Sequence, residues 1–355
     1  MSTVTLMAVG DIVVNREDPD TALSGIRPLL DAADVTFGNF EGVLTDTHPV
    51  TPGGWAPALT GTRNVRALTG LDVVSLAHNH AMDAGSPGLA DTMRALASVG
   101  VRPAGAGLTL ADALRPVLVE RGGLRVAVIA VTAVLQHGAE AGPHTPGVAP
   151  LRADDCYLSP YPGGCAPGVA PRVLSVLNET DWEAVAAAVG QAREAADLVV
   201  ISAHWGDHTR PYVLTDHERL CAELLVEAGA SLVLGHHHHM PRGVEVIAGT
   251  PVFFGLSHIA FDAPNYPGER GSLYRRTGVA VVELSAGGIE RFGLVPCLID
   301  DANVARPVGR SEPGWSDALD VLEQGQHVPG LGAKLVDNGW VFGGCDVVEF
   351  AQPTG

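Results

Sequence analysis

The stretch Ala230-Ser-Leu-Val-Leu-Gly-His-His-His-His-Met240 ends a short apolar run in four consecutive histidines. The apolar half reads as a buried strand, and the imidazoles follow at its C-terminal end. Each imidazole carries two ring nitrogens that need partners when buried, and neutral imidazole is the commonest side-chain metal ligand. An affinity tag is usually terminal and longer, whereas this run is internal and framed by ordinary globular sequence. A solvated or pH-sensing histidine cluster is the competing interpretation, and the surrounding chain decides between the two.

Outward from that stretch the same design recurs. Val4 to Val9 is a strand pattern that stops at Gly10-Asp11, with Asn15-Arg16 just beyond. Val35-Thr-Phe-Gly-Asn39-Phe-Glu41 delivers an amide and a carboxylate. Leu71 to Ala77 leads into His78-Asn79-His80-Ala-Met-Asp83, and Asp197 to Ala203 into His204-Trp205-Gly206-Asp207-His208. Thr21 to Ala33, Leu89 to Gly100, Asp181 to Ala196 and Thr215 to Gly229 read as helices between these strands. Further strand patterns are Arg125 to Val131, Gly243 to Gly249, Thr250 to Asp262 and Gly278 to Leu284. Strands alternating with helices imply an α/β fold with parallel pairing, which carries the C-terminal strand ends to one crevice.

Gathered there would be Asp11, Asn39, Glu41, Asn79, His80, His204 and His236 to His239. Carboxylates, amides and imidazoles without a thiolate suit Mn, Fe or Zn and exclude a cysteine-type structural zinc site. The donors outnumber what one ion takes. Two divalent ions about 3.5–4 Å apart, bridged by a carboxylate and a water, fit that count, and such a pair hydrolyses bonds at phosphorus or at a carbonyl.

Composition bounds the partners. A net charge of −18, from 40 acidic against 22 Lys plus Arg residues, repels nucleic acid, anionic membranes and polyanions, so a small-molecule or peptide-like substrate is expected. No apolar run reaches membrane-spanning length and no signal-peptide pattern precedes Val4, so no membrane insertion is expected. Five cysteines without metal-binding spacing suggest reduced thiols and a cytoplasmic location. The 355 residues divide into a main domain, 1–300, and a C-terminal covering segment, 301–355, with a short helix at Ser316 to Leu322. Residues 136–171, dense in Pro and Gly, read as an insertion without helix or strand, a lid over the crevice. Cys156 and Cys165 within it read as free thiols.

The motifs GDIVVNR (10–16), NFEGVLT (39–45), DVVSLAHNHAMDAG (72–85), AHWGDH (203–208), LVEAGASLVLGHHHHM (225–240) and VFFGLSHIAFD (252–262) occur in the order found in the CapA family. The chain resembles these poly-γ-glutamate capsule biosynthesis proteins, of the calcineurin-like metallophosphoesterase superfamily, from about residue 3 to 300. The resemblance implies a four-layer α/β/β/α sandwich and a dinuclear metal site. Asp11 would ligate one ion and Glu41 would bridge. Asn79, His204 and His237 would hold the second ion, and His239 would return to the first. The family's GHHPH pattern places His238 where proline stands and keeps His236 among the ligand candidates. His80 would be the general acid, oriented by Asp83, and Arg16 would neutralise an anionic substrate oxygen. The function implied is metal-dependent hydrolysis of a phosphoester or of a γ-glutamyl or peptide-like amide. The alternative is a non-hydrolytic accessory or binding protein of polymer synthesis. His78, His208 and His258 depart from the family pattern and add imidazoles around the site.

Overall fold

The computed structural model describes residues 3–47, 57–161, 163–164, 167–262, 271–329 and 331–351. The site depends on β1 (Val4–Val13), α1 (Arg27–Ala32), β2 (Val35–Phe40), β3 (Val73–Ser75), α2 (Gly85–Ser98), β4 (Leu124–Thr132), α3 (Glu179–Ala195), β5 (Leu198–His204), α4 (Asp216–Ala228), β6 (Leu232–His236), β7 (Thr250–Phe253) and β8 (His258–Phe261). These belong to a mixed α/β fold with two large sheets. In the ten-stranded sheet β1, β2, β3 and Arg102–Ala104 pair in parallel, and β8 runs parallel to β1 on its other side. Strands Arg276–Ser285 and Gly288–Ile299 extend this sheet antiparallel from β1. In the six-stranded sheet β4, β5, β6 and β7 are parallel, with antiparallel Val117–Arg121 and Val244–Ile247 at its edges.

Strand alternation divides the apolar residues among three cores. Leu6, Ala8 and Phe37 from the first sheet meet Val126, Val200, Leu234 and Phe253 from the second. On the opposite face of the first sheet, Met7, Val9 and Val74 pack with Leu29 and Leu30 of α1 and Leu89 and Leu96 of α2. Ile129, Val199 and Ile201 of the second sheet pack with Val185 and Val189 of α3 and Leu225 of α4. α4 starts where its sequence says it should. Thr215 accepts from Glu218 N–H while the Glu218 carboxylate accepts from Thr215 N–H at 2.7 Å, a reciprocal cap that satisfies two end groups.

Several expectations need correcting. β1 does not stop at Gly10-Asp11 but runs on to Val13, its pairing with β2 shifted between Ala8 and Asp11. The segment 21–33 is helical only over α1, preceded by 3-10 turns Pro19–Thr21 and Ser24–Ile26. Its Gly25 sits so close to the carbonyl of Ala305 that a Cβ there would lie 2.1 Å from it. The region 136–171 is not free of regular structure: Gly147–Val148 pairs with Ala106–Gly107, and Ala153–Leu158 forms a hairpin with Arg172–Leu177. Cys156 is an exposed free thiol on that hairpin, and Cys165 lies outside the described residues. The C-terminal segment contains the helix Trp315–Gln326. It also adds Ala305–Pro307, Lys334–Val336 and Val348–Ala351 to the ten-stranded sheet. Among the described residues no helix is long and apolar enough to cross a membrane.

Gly235, the last residue of β6 before its histidine, shows how closely the second sheet is built. A Cβ on it would lie 2.0 Å from the carbonyl oxygen of Phe254, which accepts the indole N–H of buried Trp205 at 3.0 Å. Gly235→Ala is therefore expected to destabilise the protein by about 1–3 kcal/mol or more through overpacking. Gly190→Ala, in α3 where a Cβ meets nothing within 4 Å, should stabilise it by about 0.5–1 kcal/mol. Denaturant midpoints of both variants check this, and an unshifted Gly235→Ala midpoint would rule out the close approach.

Candidate metal centre

Both sheets send their parallel strand ends to the same place. Asp11 reaches it because backbone, not side chain, packs behind it. A Cβ on Gly10 would sit 2.1 Å from the carbonyl oxygen of Ser257, and Asp11 N–H donates to that oxygen at 2.9 Å. Glu41 follows β2 directly, its N–H donating to Ile12 O at 2.9 Å. His204 closes β5, and His236 closes β6 in register with it. His237 and His239 then adopt left-handed backbone conformations, φ 95° and 57°, which non-glycine residues hold only under constraint.

The side chains converge. Glu41, His204 and His237 each bring a ligand atom within 4.8 Å of the others, and so do Asp11, Glu41 and His239, so Glu41 belongs to both groups. His204 Nε2 lies 3.5 Å from Glu41 Oε1 and 2.7 Å from Asn79 Oδ1. His239 Nδ1 is 3.2 Å from Asp11 Oδ2 and 3.7 Å from Glu41 Oε2. Asn39 Nδ2 donates to Asp11 Oδ1 at 2.8 Å, and His237 N–H donates to Asp11 Oδ2 at 3.1 Å. His236 approaches Asp11 Oδ1 at 3.5 Å with its ring against Phe37, outside both three-residue groups.

Burial and neighbouring charges set the ionisation of these groups. Burial pushes the Glu41 carboxyl well above its usual range, and the charges of Asp11 and Asp83 push it further. Burial also works on Asp11, but hydrogen bonds and charges from His236 and His239 outweigh it and hold that group well below the carboxylate range. His204 and His237 are driven strongly toward the neutral form, first by burial and then by neighbouring imidazoles. Glu41 Oε2 and His237 Nδ1 are buried without a hydrogen-bond partner. Buried polar atoms are rarely left so, and lone pairs concentrated around two carboxylates fit divalent cations of the Mn, Fe or Zn kind.

The remaining sequence-derived residues sort by partner. His80 Nδ1 donates to Asp83 Oδ2 at 2.8 Å, and Asp83 also accepts from Ala58 N–H at 2.7 Å and Gln136 Nε2 at 2.6 Å. Gln136 escapes sequence reasoning because an isolated glutamine in a loop carries no signal. Arg16 is already engaged within the protein: its Nε and Nη2 donate to the two oxygens of Asp262 at 2.7 and 2.6 Å, and Nη2 also to Asn303 O. Its charge is thereby matched by a carboxylate 246 positions away. His238 turns from the cluster to donate Nε2–H to Glu218 Oε1 at 2.8 Å, joining the histidine run to the cap of α4. The Thr215-x-x-Glu218 pattern could have revealed that cap in the sequence. His258 pairs in register with Asp11, its Nδ1 3.0 Å from His239 O, and burial pushes it down to about 3.

His238 and His237 are adjacent but should respond differently to removal. His238→Ala is expected to cost about 1–3 kcal/mol of stability, the usual loss for a buried hydrogen-bonded group, while bound metal stays at wild-type content. His237→Ala should lose metal. Elemental analysis alongside thermal melting checks both, and metal loss from His238→Ala would make that residue a ligand.

Comparison with known proteins follows from this geometry. The family model described as bacterial capsule synthesis protein PGA_cap matches residues 5–263. The PGA biosynthesis protein CapA of Bacillus subtilis (strain 168) is 28% identical over 311 residues, which cover 84% of this chain and 72% of that protein. A probable polyglutamine synthesis accessory protein of Mycobacterium tuberculosis (strain ATCC 25618 / H37Rv) is 29% identical over 260 residues, 71% of this chain and 62% of its own length. Among solved structures, a hypothetical protein from Thermus thermophilus superposes with a TM-score of 0.48 at 15% identity, over 82% of this chain and 98% of that one. On the strength of the family match, which takes in every strand end described above, this chain belongs to the bacterial capsule synthesis protein PGA_cap family.

Proposed function

We propose that the chain is a dinuclear-metal-dependent hydrolase of a phosphoester or of an amide bond of γ-glutamyl or peptide-like type, built on a four-layer α/β/β/α sandwich of the metallophosphoesterase type. The observation that carries this reading is the pair of ligand groups meeting at one shared carboxylate, Glu41. Asp11, Glu41 and His239 would hold one ion, and Glu41, Asn79, His204 and His237 the other, with His236 in reserve beside Asp11. Two divalent ions bound there supply Lewis acidity and a water of lowered pKa.

The protein's own part is positioning and proton delivery. Asp83 is fixed by Ala58 N–H and Gln136 Nε2 and orients His80 through Nδ1. The Nε2 end of His80 is thereby presented to a leaving group, and the ring, only partly exposed, is sheltered from bulk water. Gln136 also donates to Asn79 O at 3.3 Å, so the first residue of the 136–171 insertion helps wall the site. Substrates with few negative charges suit a chain of net charge −18.

A second reading draws on the mycobacterial relative's name, which says accessory protein: the same cluster would serve structure or polymer binding without hydrolysis. General acid catalysis contributes about 10²- to 10⁴-fold, so His80→Asn should lower turnover by that order at unchanged metal content. The loss should shrink for substrates with a good leaving group. Purified metal-loaded protein screened over phosphoesters and γ-glutamyl peptides decides the matter, and no turnover on either class would leave the accessory reading standing.

A further inference from the structure

The segment between β5 and α4 is held more firmly than its composition suggests. Gly206 takes φ 85°, and a Cβ on it would lie 2.2 Å from His238 Nε2. The Asp207 carboxylate accepts from Thr209 N–H at 2.7 Å and from Arg210 Nε at 2.6 Å. From below, the guanidinium of Arg242, only 3% exposed, donates Nη2 to the carbonyls of Asp207 and Arg210 at 2.8 and 2.7 Å. A buried arginine spent on two loop carbonyls fixes the backbone on either side of His208.

The residue held in this way is His208. Its Nδ1 lies 3.2 Å from His237 Nε2, the rings 4.8 Å apart in an edge arrangement. The other nitrogen of His237, Nδ1, is buried without a partner, and His237 belongs to the group with Glu41 and His204. A neutral imidazole carries one N–H and one lone pair, and the hydrogen bond made by one nitrogen sets which is which. We propose that His208 is the positioning residue of His237, its Nδ1 accepting the Nε2–H so that the Nδ1 lone pair of His237 would be free to hold a cation. The inference deepens the metal-centre reading above and depends on it. In the opposite tautomer His237 Nδ1 would carry the proton and could bind no ion. The clasp also opposes rotation of a ring whose backbone is left-handed.

Outer partners of metal-binding histidines typically contribute 10- to 100-fold to affinity. Chelator-stripped full chain titrated calorimetrically with Mn2+, and with Co2+ followed by its visible absorption, provides the test. Wild type should bind two equivalents. His208→Leu should weaken one of them by about 10–100-fold, change the Co2+ spectrum and leave the other unchanged. His208→Asn, whose Oδ1 can accept at the place of Nδ1, should restore most of that affinity, which a merely space-filling role would not predict. His208→Ala replaces the leucine variant if circular dichroism shows the latter unfolded. Wild-type affinity at both sites in the leucine or alanine variant, or an equal loss in His208→Asn, overturns the assignment of His208 alone. A wild-type chain that takes up no ion overturns the metal centre itself, and this inference with it.

Discussion

Two carboxylates at full burial, Asp11 and Glu41, cannot both keep their charge in a low-dielectric seam without positive charge between them. Taking such groups out of water costs several kcal/mol each even after relaxation, and the pair repel one another. His236 and His239 offset the charge of Asp11, yet burial drives His204 and His237 toward neutrality, so those two imidazoles bring no charge to Glu41. The unpartnered atoms of Glu41 and His237 are the same deficit seen as hydrogen bonding. Cations in the seam would satisfy both deficits at once.

That requirement shapes the surrounding fold. The seam lies between the strand ends of two sheets, and its candidate ligands come from both: Asp11 and Glu41 from one, His204, His237 and His239 from the other. Leu256 and Ser257 link the two sets of ends: Leu256 N–H donates to Gly235 O at 2.9 Å, and Ser257 O accepts from Asp11 N–H at 2.9 Å. Cations bound there would act as a bolt across the interface. Local opening in the ion-free protein would then start at the seam rather than at the apolar core between the sheets.

Much of this was legible in the residues, because polar groups at the ends of apolar strands announce themselves through a change of pattern. Asp11, Glu41, Asn79, His204, His237 and His239 stand out in that way and lie together. What the pattern hides is non-local. Whether parallel strands form one sheet or two depends on pairing between distant segments, and periodicity is blind to that. The partner of Arg16 lies 246 positions away at Asp262, so the sequence shows the cation without the carboxylate that engages it. The hairpin Ala153–Leu158 with Arg172–Leu177 is exposed along most of its length, so it lacks the apolar alternation that marks a half-buried strand. The terminal strands are two to four residues long with little contrast of their own.

The left-handed turns at His237 and His239 make the four-histidine run something other than a concentration of one chemistry. A regular strand offers only two directions, alternating above and below; two inversions of φ within three residues break that alternation. His236 lies against Phe37, His237 faces His208, His238 reaches Glu218 and His239 points to Asp11. Four identical letters thus hold four separate addresses, and the backbone, not the side chain, does the distinguishing. Gaining or losing one histidine would leave the composition almost untouched and yet shift the residues after it to another address. In a homopolymeric run, length is the information.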